Sequence, residues 1–334
     1  MIGAVPVPLP VCYNEGCRFF RQHDRTQGPE VKGLKVSAKS LTWSAAAILV
    51  MLSILTPLNV VSSLLMMTPF VVLYTMLKPG AFAAHIVPIA VIAFLLSGSY
   101  GPVVLTLGLF FLVPSIVMGH LYKKGKPAKT VVLTGFVVIL AELLLELAIF
   151  SSQLNFKDEV ITLLTDSLKQ FETNGMFSEG WAAQNAASLT DALITALPMM
   201  LLLTAFFLTT VTHGLSRKAL RTVGFEAPSL PKAKDWMMPR SLVLYYLIAS
   251  VTSFVMTEES GGYWYVAITN LIPILQFLFL IQAIGFVFFL ANAKRWPRFA
   301  PFLLCIPLLL FIQPLFLIGM LDVAFPLRRY FVKE

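Results

Sequence analysis

The sequence predicts an all-α fold, a polytopic transmembrane helix bundle with eight or nine spans and one outer amphipathic helical loop. Three observations predict it. Hydrophobic residues fill 57% of the 334 positions and charged residues only 13%, against about a quarter charged in an ordinary soluble domain, and mean hydropathy is +0.81. The apolar residues fall in runs of the length that helix needs to cross a hydrocarbon core, roughly 20 residues for about 30 Å. Those runs are continuous and not alternating, so the need to satisfy backbone groups in lipid selects helices over a barrel. The formal net charge of +8 comes from Lys and Arg in short segments between the runs, a topology signal. With no basic stripe on a soluble module, nucleic acid is excluded as a partner. The implied partner is the lipid bilayer of the cell membrane.

Residues 1–38 are polar and lack the apolar core and cleavage site of a signal peptide. Two readings stay open: a disordered cytoplasmic tail, or a stretch upstream of a true start at Leu34 or a nearby codon. Cys12, Cys17 and His23 lack a fourth ligand and a zinc-finger spacing, and Cys305 stands alone in an apolar run, so neither a metal nor a disulfide is expected. Leu41 to Leu77 is too long for one span and breaks at Thr56-Pro57-Leu58-Asn59 into two. Phe82 to Leu96 and Pro102 to His120 follow, the latter ending in Lys123, Lys124, Lys126 and Lys129, which mark a cytoplasmic loop. Val131 to Phe150 then leads out to an acidic segment, 151–190. Within it Val160, Leu164, Leu168 and Phe171 recur at helical spacing, with Gly175 as the stop.

Ala192 to Val211 returns the chain to a basic cytoplasmic loop, 216–240. The C-terminal part, 241–334, holds runs from Ser241 to Met256, Tyr263 to Leu290 and Phe299 to Met320. The alternation puts the N-terminus in the cytoplasm. The last run, interrupted by Pro301, Pro307 and Pro314, breaks the pattern: as a simple span it places Arg328, Arg329 and Lys333 outside. A re-entrant hairpin, one earlier run that does not cross, or a tolerated exception to the charge rule each resolve this.

An acid inside an apolar run costs about 2.5 to 3.5 kcal/mol on insertion scales and is a functional suspect by default. Glu142 and Glu146 are the main ones. Four residues apart, they share one face of a helix, one turn apart. As a pair they suit a cation or proton site, or recognition of a cationic or polar small molecule. Alternatively, Glu146 reaches water at the outer interface and Glu142 bonds a polar neighbour. Asn270, Gln276 and Gln282 lie along one run, where Gln282 and Gly285 fit close helix contact with polar glue. His85, His120 and His213 fall near cytoplasmic run ends with no acid beside them, which is the pattern of interfacial histidines and not of a metal site. His-Glu-x-x-His, Gly-x-Ser-x-Gly and His-box motifs are absent, and Pro127 stands where a phosphate loop needs Ser or Thr. A non-enzymatic role without cofactors is expected.

Asp235-Trp236-Met237-Met238-Pro239, then Asn270-Leu271, Gln282-Ala283-Ile284-Gly285 and Gly319-Met320-Leu321-Asp322 with Arg328-Arg329 form a pattern that resembles the YybS family. These are uncharacterised multi-span membrane proteins of Gram-positive Firmicutes. On this resemblance Trp236, Pro239, Asn270, Gln282, Gly285, Gly319, Asp322, Arg328 and Arg329 are structural or family-motif positions. The family is distantly similar to the S components of energy-coupling-factor vitamin transporters, whose six-helix core corresponds to residues 39–215. The resemblance implies a small-molecule cavity opening outward beneath the long loop. In one departure, Ala45, Ala46 and Ala47 are followed four positions on by Leu49, Val50 and Met51, not by the small residues through which S components dock on a transmembrane partner. Two functions therefore stand side by side: a transporter-like binding protein for a small molecule or cation, and a membrane scaffold or regulator acting through a protein partner.

Overall fold

The computed structural model describes residues 38–153, 156–256, 258–297, 299–301, 303–304, 312–325 and 327–331. The readings made for the N-terminal tail, Cys305, Pro307 and Lys333 lie outside them. Among the described residues the long elements are all helices: α1 (Ala38–Ser53), α2 (Asn59–Met76), α3 (Pro79–Leu96), α4 (Gly101–Lys123), α5 (Ala128–Gln153), α6 (Phe156–Thr173), α7 (Trp181–Thr222), α8 (Ser241–Val255), α9 (Glu258–Ala293), α10 (Ile312–Ala324) and the short α11 (Leu327–Phe331). Six of them, α2, α3, α4, α5, α7 and α9, are long and apolar enough to cross a membrane. That is fewer than the eight or nine spans expected, because α1, α8 and α10 have only 16, 15 and 13 residues.

The break at Thr56 to Asn59 forms as a tight turn. Thr56 Oγ1 donates to the Ser53 carbonyl (2.6 Å), and Ser53 and Ser62 hydroxyls meet across it at 2.7 Å. α2 sits at the centre of the N-terminal bundle, packed against α1, α4 and α7: 61% of its residues are buried, against 17% of α3 and 11% of the apolar window of α5. Their exposed apolar outer faces are of the kind that suits lipid. Buried Met51, Met66, Met67, Met76 and Met118 fill the spaces round α2, a use suited to the unbranched, adaptable thioether. Glycines let helices approach: a Cβ on Gly108 would stand 2.6 Å from Met51 Cε, and one on Gly119 would stand 2.8 Å from Tyr74 Cδ1.

The amphipathic segment forms α6, and Gly175, at φ +74°, ends the turn that follows it. The rest of the acidic segment is more helical than a loop. α7 starts at Trp181 and runs for 42 residues, about 63 Å at 1.5 Å per residue, so its first turns project past the bundle. There α6 packs on it. Glu172 accepts the Ala182 N–H at 2.6 Å, Phe177 stacks on Trp181 at 4.3 Å, and Lys157 pairs with Asp191 at 2.6 Å. The hydrogen bond and charge of Asp191 hold the exposed Lys157 ammonium above the usual lysine range.

Lysines gather at the other end of the bundle, where they meet helix C-termini whose carbonyls lack partners. Lys123 donates to the Leu77 carbonyl (2.6 Å) after α2, and Lys39 to that of Thr222 (3.4 Å) at the end of α7. α9 also finishes here, at Ala293, after a bend at Gly262 (φ 45°, ψ −126°).

The last described helices resolve the charge conflict. α10 lies along α9 in the same direction: Gly319 is seated on Phe279 and Ala283, Asp322 bonds Gln282, Arg328 covers Phe289 at 5.1 Å, and Phe331 meets Phe286 at 6.0 Å. A Cβ on Gly319 would collide with the Phe279 carbonyl oxygen and stand 2.9 Å from the Ala283 nitrogen, so only glycine allows this approach. Parallel pairing brings Arg328 and Arg329 to the same end as Lys234 and Lys294, which a simple span would not do. Single cysteines at positions 234, 294 and 329, in a chain without its native cysteines, are expected to react with an impermeant thiol reagent from one and the same side of sealed vesicles. Labelling of position 329 from the opposite side would show α10 reversed.

Candidate functional site

Glu142 and Glu146 stand on α5 one turn apart, both half-buried. α5 carries them because its remaining residues in this stretch, Leu140 to Ile149, are helix-forming and apolar. Their surroundings differ. Glu142 Oε2 is buried and meets no hydrogen-bond partner among the described residues. Glu146 lines a cavity of about 520 Å³ bounded by α2, α4, α5 and α7. Ser63 and Thr204 are the other polar lining residues; the rest, including Leu64, Phe110, Phe111 and Phe207, are apolar or aromatic. The volume falls in the range of small-molecule sites, roughly 300–1,000 Å³, which pair an apolar wall with a few polar groups. Chemically, the site offers one carboxylate for a cation or hydrogen-bond donor and a greasy wall for the rest of the molecule.

A second cavity of about 580 Å³ lies between α7 and α9 toward the α6 end, with Asp191, Thr195, Tyr265 and Asn270 on its walls. Asn270 also repairs α7. Pro198 interrupts the helix, and the Asn270 amide fits into the widened turn: its Oδ1 accepts the Met199 N–H (2.9 Å) and its Nδ2 donates to the Thr195 carbonyl (2.7 Å). A proline in a span is tolerated when a neighbour supplies such bonds.

Most of the other sequence-selected residues converge near the basic end. Asp322 is fully buried. It accepts from Gln282 Nε2 (2.6 Å) and from Arg328 Nε (3.1 Å) and Nη2 (2.9 Å). Arg328 Nη1 then donates to the Lys234 carbonyl (2.8 Å), and Gln282 Oε1 accepts the Met238 N–H (3.1 Å). Gly285 leaves room for the same loop, since a Cβ there would be 3.0 Å from the Ala233 carbonyl and 3.5 Å from Trp236 Cβ. Trp236 Nε1 donates to the Pro231 carbonyl, and the Pro239 carbonyl accepts the Leu242 N–H at the start of α8. Arg329 is exposed. Asp322, Gln282 and Arg328 therefore all spend their polar groups on partners within the chain.

The histidines have separate surroundings. His85 reaches the Ala81 carbonyl and Ser40, buried His213 bonds Tyr122 Oη at 2.7 Å, and His120 is exposed. Sequence reasoning did not find the cavity-lining Ser63 and Thr204, the Tyr122–His213 pair, or the role of Asp191. For the Asn270 splice a signal existed: Pro198 in a span lacks an N–H and disturbs the turn before it, so a polar side chain on a facing helix is a candidate partner.

A family described as "Predicted membrane protein (DUF2232)" matches residues 44–323. The chain is also similar to a protein of Bacillus subtilis (strain 168) named "Uncharacterized protein YybS", with 26% identity over 226 residues, covering 64% of this chain and 72% of that one. No solved structure matches significantly.

Because Asp322 is buried, removing its cation leaves a charge without compensation, which costs about 3–5 kcal/mol. Arg328→Ala is expected to lower the unfolding midpoint in detergent sharply. Arg328→Lys, which keeps the charge but loses the fork, should fall between. Equal stability of all three proteins would remove the network from the account.

Proposed function

We propose, for a chain that belongs to the DUF2232 family of predicted membrane proteins, that it is a non-enzymatic, transporter-like protein that binds a small molecule in the bundle. The ligand class is an organic molecule with an apolar body and a cationic or hydrogen-bond-donating group. One observation carries this: Glu146 is a carboxylate set in the wall of an otherwise largely apolar cavity of about 520 Å³. No ion pair to Glu146 is found among the described residues, and a carboxylate held in such a wall is costly unless something else meets it. Glu142, one turn away, does not line the cavity, but its buried oxygen has no partner among the described residues, so a second acid not spent on the fold stands beside the site.

The topology we read around it has the basic end in the cytoplasm of a bacterial cell, following the excess of Lys and Arg. α1, α2, α3, α4, α5, α7, α8 and α9 then make eight crossings, and the C-terminal segment enters and leaves from the cytoplasmic face. α6 and the start of α7 then lie outside, and α6 reaches the second cavity through the Lys157–Asp191 pair. The scaffold reading draws on the 232–238 segment, which is tied to α9 and α11 and so presents a fixed surface to a protein partner.

A thermal-shift screen of the purified protein with vitamins, amines and small peptides decides between them. The binding reading expects a ligand that raises the midpoint in wild type, with the shift lost in Glu146→Gln and in Thr204→Trp, which fills the cavity. No stabilising compound, together with a stable protein partner crosslinked through 217–240, would favour the scaffold and overturn the binding reading.

A further inference from the structure

α9 ends on a left-handed residue that is not glycine. Arg295 has φ +53°, a conformation disfavoured for an L side chain. The Trp296 N–H bonds the Ala291 carbonyl at 2.8 Å and the Arg295 N–H that of Asn292 at 3.3 Å, the two bonds of a Schellman ending. The turn folds the chain back, so Trp296 stands beside the last turn of α9. Facing it is the short 3₁₀ turn Ala233–Asp235, held in place by Gly285 and by the bond from Arg328 to the Lys234 carbonyl.

Between them lies a third cavity, of about 320 Å³. Its polar side chains are Lys232, Lys234, Asn292 and Trp296, and Phe288 and Pro301 contribute apolar wall. Lys234 Nζ donates to Asn292 Oδ1 at 3.2 Å. That bond sets the Asn292 oxygen toward Lys234 and leaves the amide N–H₂ to donate elsewhere. What remains is a set of donors: two ammonium groups, an amide N–H₂ and an indole N–H. Among the described residues no carboxylate lines the cavity. Asp235 is the adjacent acid in the chain, and Asp322 is taken by Arg328. Lys294, Arg295 and Arg329 add positive charge at the same end of the bundle. Trp is enriched at the level of lipid headgroups, and basic pockets between membrane helices suit anionic heads.

We propose that this pocket binds a phosphate group, supplied by the headgroup of an anionic phospholipid in the leaflet at the basic end. Lys232 and Lys234 provide the countercharge, Asn292 hydrogen-bonds a phosphate oxygen, and Trp296 packs on the glycerol portion. The site is separate from the Glu146 cavity and does not depend on its function.

Native mass spectrometry of the full chain with phosphatidylglycerol or phosphatidylcholine tests this. Wild type should retain one phosphatidylglycerol in preference to phosphatidylcholine, and high salt should weaken the preference. Lys232→Gln with Lys234→Gln should weaken it about tenfold or more, without lowering the lipid-free unfolding midpoint. Lys124→Gln with Lys126→Gln, in another basic loop, should leave it unchanged. Competition by glycerol phosphate at equal concentration would keep the phosphate site but give it a soluble source. Equal retention of the two lipids by wild type overturns the proposal whether or not the variants fold, as does equal loss in both double variants.

Discussion

The buried carboxylate of Asp322 is the constraint on which the C-terminal half depends. A charge with no exposure must be compensated where it sits, and here the compensation comes from Gln282 on α9 and Arg328 on α11. Those bonds fix the direction of α10 against α9. Arg328 then reaches the Lys234 carbonyl, and Gln282 takes the Met238 N–H. One acid thus holds four segments: α9, α10, α11 and the strand of loop before α8. Gly319 and Gly285 let the partners come close enough for this to happen.

The two acidic sites differ in how far they are satisfied, and that difference carries the functional argument. Asp322 is surrounded by donors of its own chain, so it holds structure. Glu142 keeps a buried oxygen without a partner among the described residues, and Glu146 faces a cavity. Acids in lipid that are not spent on the fold are where binding is expected. The Asn270 amide belongs with Asp322 in this respect, because its bonds go into mending α7 at Pro198.

Much of this was legible in the residues. Thr56-Pro57-Leu58-Asn59 marks a turn, the spacing from Val160 to Phe171 marks an amphipathic helix, and Gln282 with Gly285 marks a close contact. The direction of α10 was not, because hydropathy has no polarity: an apolar run reads the same rising or falling. Only the misplaced Arg328 and Arg329 hinted at the reversal. The extent of α7 was missed because Trp181 to Thr190 is polar enough to read as loop while being rich in alanine, which extends a helix. The cavity walls were hidden for another reason. Helices apolar on every side, such as α4, give no pattern that separates a face toward a cavity from a face toward lipid.

The central claim is that the space beside Glu146 holds a molecule and not merely lipid. An experimental structure of the protein purified gently from its own membrane tests it most directly. The account predicts compact density among α2, α4, α5 and α7, with a polar atom within hydrogen-bond reach of the Glu146 carboxylate. An acyl chain threaded through the space, or side chains collapsed into it, would contradict the account.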